Sequence, residues 1–377
     1  MRTSIVHRAT KGPSPWWHAS TILSPSTLYS PATESALQEE ARRARAAGFD
    51  AVLIEPETSA PLVAPESPLA AFISGIRGSG LRVLVRIPND TLSSLGARGL
   101  DMENRVSSIL ARTRGALAAG ADGVDLGVCV EEDDSSPVRA ALARERFAAL
   151  VRQVEAEAAS WDSQPIVTAR IDGADAERVR SHLEEEWFHH LCDDSLRRAS
   201  WSAEAIRDAV VSSLAVRDRV GAVAPWSFDL TATPERLPLP ARESALLVYA
   251  LSLPGAVHAV CSRPDALGDT APGSFSIDEA AARALRARIE SGLGTGALGF
   301  VDGLEWAGPG VSVHANGPVL VVLNTSDALV RVPASAGLLL SSAPVEVLES
   351  GESRVPADCC AWFETPRIRP KRAAYWD

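Results

Sequence analysis

Short apolar runs that alternate with helix-patterned stretches constrain this chain more than any other feature. Ala51–Glu55 (AVLIE), Leu81–Ile87 (LRVLVRI), Gly123–Val130, Pro165–Ile171 (PIVTARI), Gly221–Phe228 and Ala256–Cys261 (AVHAVC) read as strands. Shorter candidates stand at Ala19–Leu23 and Glu186–Leu191. Helices are predicted between them. Glu34–Ala47 has acids early, arginines late and Gly48 as a stop, the charge order a helix dipole favours. Leu69–Arg77, Met102–Ala118, Val138–Ala159, Ala174–Glu184, a serine-capped stripe through Ile206, Val210 and Leu214, Arg242–Leu253 and Asp278–Ser291 follow.

The count is about eight strand positions, most followed by a helix, as a (β/α)8 TIM barrel requires. A doubly wound open sheet needs fewer units and usually a glycine-rich phosphate loop, and none stands in this sequence. After residue 300 the pattern becomes short β-rich runs broken by Asn, Gly, Pro and Ser: Val311–His314, Val319–Leu323, Leu329–Val332, Gly337–Leu340 and Cys360–Phe363. The expected organisation is therefore a barrel over 1–300, an all-β antiparallel sandwich over 301–366 and a basic tail over 367–377.

Composition matters here for what it excludes. A net charge of −11 offers phosphates no basic field, so nucleic acid is not an expected partner. No apolar run approaches the ~18 residues of a membrane span. The N-terminal MRTSIVHRATKGPSPWW lacks the apolar core of a signal peptide, and the expectation is a cytoplasmic protein. Five scattered cysteines form no disulfide framework, and His189, His190 and Cys192 lack a second ligand pair at metal spacing. No metal and no cofactor are expected. Adjacent Cys359 and Cys360 read as buried small hydrophobes. The tryptophans read mostly as packing residues, with a sugar-stacking platform as the functional alternative.

The order of segments resembles the α-amylase/α-glucosidase superfamily, glycoside hydrolase family 13. The resemblance rests on WW at 16–17, AAGFDAVLIEP at 46–56, GLRVLVRIPND at 80–90, ADGVDLGV at 121–128, APWSFD at 224–229, ARESALLVYALSLPGAVHAV at 241–260 and LEWAGPGVSVHANGPVLVVLNTS at 304–326. It implies a retaining glycosidase, with a carboxylate nucleophile and a carboxylic acid/base about 5–5.5 Å apart. Carried over residue by residue, the working positions are changed. The D-G-F-R-x-D stretch of the family reads Asp122-Gly123-Val124-Asp125-Leu126-Gly127, so Asp125 replaces an arginine and Gly127 the nucleophile. Ala169-Arg170 stands where the acid/base glutamate should end its strand. Asn-His-Asp reads Ser227-Phe228-Asp229, and Pro-Asn-His reads Pro88-Asn89-Asp90. Only a short loop, residues 89–101, stands where the family inserts a separate domain.

No catalytic set is intact on this reading; only Asp229 is retained. The expected function is a degenerate, catalytically inactive homologue, a pseudoenzyme acting as scaffold, partner subunit or weak carbohydrate binder. The alternative is an active α-glucosidase-like hydrolase or transglycosylase of carbohydrate metabolism that uses relocated acids: Asp125, Asp229 and Glu131, or others of the run Glu131, Glu132, Asp133 and Asp134. Asn89, Asp125, Arg170, Trp226 and Asp229 are the ligand-binding candidates, with Arg170 expected to pair with Asp125 or Asp229 or to hold a small anion. A carbohydrate or small anion, a protein partner or a second copy of the chain are the expected partners, and no membrane.

Overall fold

The structure is a computed structural model. It describes the backbone of residues 2–57, 67–87, 100–129, 137–171, 173, 176–186, 188–229, 241–261, 279–334 and 337–364. An N-terminal strand, β1 (Arg2–His7), comes first, and eight parallel strands then close into a barrel. These are β2 (Thr21–Ser24), β3 (Ala51–Ile54), β4 (Arg82–Arg86), β5 (Gly123–Val128), β6 (Ile166–Ile171), β7 (His190–Asp193), β8 (Pro225–Asp229) and β9 (Ala256–Val260), with β9 pairing back onto β2. The expected TIM barrel is the observed one.

Helices α1 (Glu34–Ala47), α2 (Pro68–Gly78), α3 (Leu100–Ala118), α4 (Pro137–Ala159), α5 (Ala176–Glu186), α6 (Ser195–Arg198), α7 (Ala203–Val220), α8 (Ala241–Leu251) and α9 (Glu279–Glu290) surround it. Their ends follow local chemistry. Ser67 and Ser202 accept the backbone N–H groups of Ala70 and Ala205, satisfying donors that the first helical turn leaves orphaned. Gly48 closes α1 at φ 107° and donates to Ala44 and Arg45, a conformation costly for any residue with a Cβ.

Strand alternation sorts the barrel's side chains. Val83, Val85, Val124, Leu126, Val167, Ala169, Leu191, Trp226 and Val257 belong to the main core between strands and helices. Ile22, Ala51, Leu53, Leu84 and Ile166 form a separate apolar cluster, with Trp16 and Trp17 packed against it. That cluster fills the lower barrel interior, and Gly123 makes room for it. A Cβ on Gly123 would lie 2.5 Å from the Ile166 carbonyl oxygen. Above this plug the inward positions turn polar.

The rest of the chain forms two antiparallel sheets. A six-stranded sheet runs β1, β10 (Leu298–Asp302), β11 (Val311–Asn316), β12 (Val319–Asn324), β17 (Cys359–Glu364) and β14 (Leu338–Ser341). A three-stranded sheet runs β13 (Val330–Val332), β16 (Ser353–Val355) and β15 (Glu346–Val347). The boundary drawn at residue 300 is thus crossed: β1, from the start of the chain, pairs with β10 in this all-β region. Alternation again decides what packs where. On β12, Val319, Val321 and Leu323 face the barrel core, and Val322 faces the dry core between the two sheets. On β17, Cys360 and Trp362 face the barrel, while Cys359, Ala361 and Phe363 face the other way. The two cysteines are therefore on opposite faces of one strand, and both are free and buried.

Candidate functional site

In a parallel α/β barrel, chemistry sits where the strands point, at their C-terminal ends. One register row there carries an unusual run of polar residues. Arg86 on β4 lies opposite Asp125 on β5, Asp125 opposite Thr168 on β6, and Thr168 opposite His190 on β7. All four share the inward side of the sheet, in the layer above the apolar plug.

Asp125 is the centre of this row, and its oxygens are committed to neighbours. Oδ1 accepts from Arg86 Nε at 2.9 Å and from the Gly127 backbone N–H at 2.9 Å. Oδ2 accepts from the Thr168 hydroxyl at 2.7 Å. Burial by itself would raise this carboxyl; the Arg86 charge and the three hydrogen bonds outweigh it and hold Asp125 below the usual carboxylate range. Arg86 also reaches Glu55, just past β3, with Nη1 3.4 Å from Oε2. Glu55, Arg86, Asp125 and Thr168 thus form one hydrogen-bonded chain across the barrel mouth.

Below and beside it sits a histidine pair. His190 Nδ1 is 2.9 Å from His258 Nε2, and His190 Nε2 is 2.8 Å from the Trp17 carbonyl. The carbonyl can only accept, so His190 Nε2 carries the proton and Nδ1 accepts from His258. Burial drives both imidazoles toward the neutral form. His190 is pushed well below its ordinary value, with His258 adding to the effect, and His258 is pushed down to about 4.

Gly127 has a definite structural part. The β5–β6 register slips between Asp125 and Val128, and Gly127 sits in that bulge at φ 71°, in the left-handed region. A side chain at this position would be strained whatever its chemistry. Its N–H feeds Asp125, so the bulge and the carboxylate stabilise each other.

The remaining sequence-predicted residues are placed as follows. Arg170 lies on the inward side of β6, two residues beyond Thr168 and opposite Cys192 of β7. Asp125, one of the two partners expected for Arg170, is held by Arg86, one strand over. Trp226 points away from the mouth. It is 2% exposed, packs in the strand–helix layer and donates its indole N–H to the Pro254 carbonyl at 2.7 Å. The cause is parity, since Ser227 occupies the opposite side of β8. Asp229 is the last residue of β8, opposite Val260. Its side chain, all of Asn89 and the run 131–134 lie outside the described residues. Sequence reasoning missed Arg86, Glu55, Thr168, His190 and His258 as members of the mouth cluster. The only available signal was charged or polar residues at inward parity in otherwise apolar strands. Among the described residues, no three His, Cys, Asp or Glu side chains group as a metal site, and no helix is long and apolar enough to cross a membrane.

No family profile and no curated protein sequence matches the chain. Solved structures do. An alpha-amylase from H. orenii superposes with a TM-score of 0.63 at 11% identity, covering 92% of this chain and 99% of that one. An alpha-amylase from Geobacillus thermoleovorans, crystallised with acarbose, superposes with a TM-score of 0.58 at 8% identity, covering 93% of this chain and 99% of that one. At such identities the likeness concerns architecture. The chain has the fold of the alpha-amylases: a closed eight-stranded parallel barrel followed by antiparallel sheets.

Proposed function

We propose that this chain is a catalytically inactive homologue of the α-amylase superfamily, its barrel kept as a scaffold, a partner subunit or a weak carbohydrate binder. The observation that carries the proposal is the pairing at Asp125 and Gly127. A retaining glycosidase needs a carboxylate nucleophile and a proton-donating acid on opposite sides of the sugar bond. At the matching nucleophile position this chain has a glycine in a bulge, which offers no atom to form the glycosyl-enzyme bond. At the acid/base position it has Arg170, a guanidinium where the chemistry needs a carboxylic acid. Asp125 cannot easily take over. An attacking carboxylate oxygen needs a free lone pair aimed at the sugar, and both oxygens here are held by Arg86, Thr168 and Gly127.

The alternative is an active hydrolase or transglycosylase built on relocated acids. It is favoured by the place of Asp229 as the last residue of β8, at the end of the barrel where the chemistry of such folds sits. A cytoplasmic location is compatible with both readings, and the alternative belongs to carbohydrate metabolism. One experiment separates them: hydrolysis of maltose, trehalose and an aryl α-glucoside, with Asp229→Ala alongside. The proposal expects no turnover above the buffer rate in either protein. Turnover that Asp229→Ala abolishes would establish the alternative. Thermal shift against the same sugars then separates a binder from a pure scaffold, because a ligand of the folded form raises Tm with its concentration.

A further inference from the structure

A second concavity lies at the opposite end of the barrel. It has a volume of about 570 Å³ and is bounded by β1, the last turns of α7 and the residues just before β8 and β9. That volume falls within the range of small-molecule sites. Its walls combine carbon surface from Val6, Leu214, Val223 and Pro254 with three basic side chains, His7, Arg8 and His18.

Each basic group is oriented or left available in a way that suits one ligand chemistry. His7 Nδ1 is 2.9 and 3.1 Å from the two carboxylate oxygens of Asp218, which fixes the ring and leaves Nε2 unused. Asp218 stands one turn beyond Leu214 on α7, so this contact also ties β1 to the helix. His18 Nδ1 is 2.7 Å from the Ser14 hydroxyl. With that hydroxyl donating, the ring's proton sits on Nε2. Burial, then the neighbouring His189, lowers the His18 pKa, and in that tautomer the neutral ring donates through Nε2 without adding charge. Arg8 is exposed on the rim, and among the described residues no carboxylate lies within ion-pairing distance of it. The one acid on this wall, Asp218, already serves His7.

We infer that this cavity binds a small molecule bearing a terminal oxyanion, with Arg8 and His18 Nε2 as its donors and the Val223–Pro254 wall against its carbon skeleton. A guanidinium and an imidazole N–H lining one cavity match phosphate and carboxylate oxygens in charge and hydrogen-bonding chemistry. The site is separate from the strand tips and does not depend on the reading of Asp125 and Gly127.

The test uses the full chain with inorganic phosphate and acetate, each titrated at constant ionic strength against chloride. Tm and the His7 and His18 imidazole resonances are followed. The inference expects a saturable rise in Tm with phosphate or acetate, with both imidazoles shifting on the same binding curve. The anion that acts identifies the ligand as a phosphate or a carboxylate. Arg8→Gln should weaken binding at least tenfold and His18→Gln about threefold, with Tm in chloride unchanged for Arg8→Gln, whose side chain is exposed. No saturable response to either anion, or full-strength binding in Arg8→Gln, would overturn it.

Discussion

The barrel interior and the core between the two C-terminal sheets are both buried, yet they are built on opposite terms. The inter-sheet core is Val301, Val313, Val322, Val330, Val332, Val355, Cys359, Ala361 and Phe363, with no ionisable pair among them. The barrel interior has an equally dry plug at the bottom but ends, toward the mouth, in Arg86, Asp125, Thr168, His190 and His258. An apolar core gains stability by removing surface from water. A buried polar cluster gains little net stability, because desolvation offsets most of the pairing, and it is costly once one member is removed. Fold stability alone does not account for the polar layer. It stands where barrels keep their chemistry, with its charges neutralised by each other.

The comparison can be broken most sharply at Asp125. Asp125→Ala leaves Arg86 buried without its main partner and should destabilise the fold by about 3–5 kcal/mol. Replacing both partners with apolar residues, Asp125→Leu with Arg86→Met, should recover most of that loss. Denaturant unfolding of the single and double variants measures both. A single variant as stable as the parent would show that the ion pair is not formed.

In the dry core the corresponding change behaves differently. Val322→Ala removes methyl groups from a fully buried site and should cost about 1–3 kcal/mol, with no dependence on pH between 5 and 8. The pH dependence belongs to buried histidines, His190 and His258 in the barrel and His314 on β11. His190 and His258 have folded values below the ordinary 6.5, so the unfolded chain binds more protons. Their contribution is complete above about 6.5 and is lost as pH falls toward about 4 for His258. Stability measured from pH 7.5 to 4 should fall by a few kcal/mol (each unit of pKa difference is about 1.4 kcal/mol). His258→Gln should flatten that slope, and an unchanged slope would place the titration elsewhere. The smallest effect is expected at the seam between the two regions. Arg207 pairs with Asp302 of β10 through both terminal guanidinium nitrogens, but both side chains are about a third or more exposed. Arg207→Ala should cost about 1 kcal/mol or less, and less still in high salt.

Much of the barrel was legible because its local signals agree. In α1, the Ala, Arg and Glu residues, the dipole order and Gly48 point to one answer, and the observed Glu34–Ala47 is the expected span. β7 was placed too early, at Glu186–Leu191, where the structure has His190–Asp193. A strand whose inward positions are His190 and Cys192 does not read as an apolar run. β1, β10, β15 and β16 are not legible as strands: β1, β15 and β16 are short or half exposed, β10 is buried, and each is fixed by a partner rather than by its own pattern. The site was legible in identity and not in pairing. Asp125 and Gly127 could be singled out from their positions in one strand. That Arg86 meets Asp125 depends on the β4–β5 register, and that His190 meets His258, 68 residues away, depends on barrel closure. Neither is a local property.

The proposal of lost glycosidase chemistry rests on Asp125, whose two oxygens are taken by Arg86, Thr168 and Gly127. The most direct measurement is intact-protein mass spectrometry after incubation with a 5-fluoro-α-glucosyl fluoride, a reagent that traps the glycosyl-enzyme bond of a retaining glycosidase wherever its nucleophile lies. The mass of the protein is expected to stay unchanged. A stoichiometric glycosyl adduct on Asp125, Asp229 or any other carboxylate would contradict it.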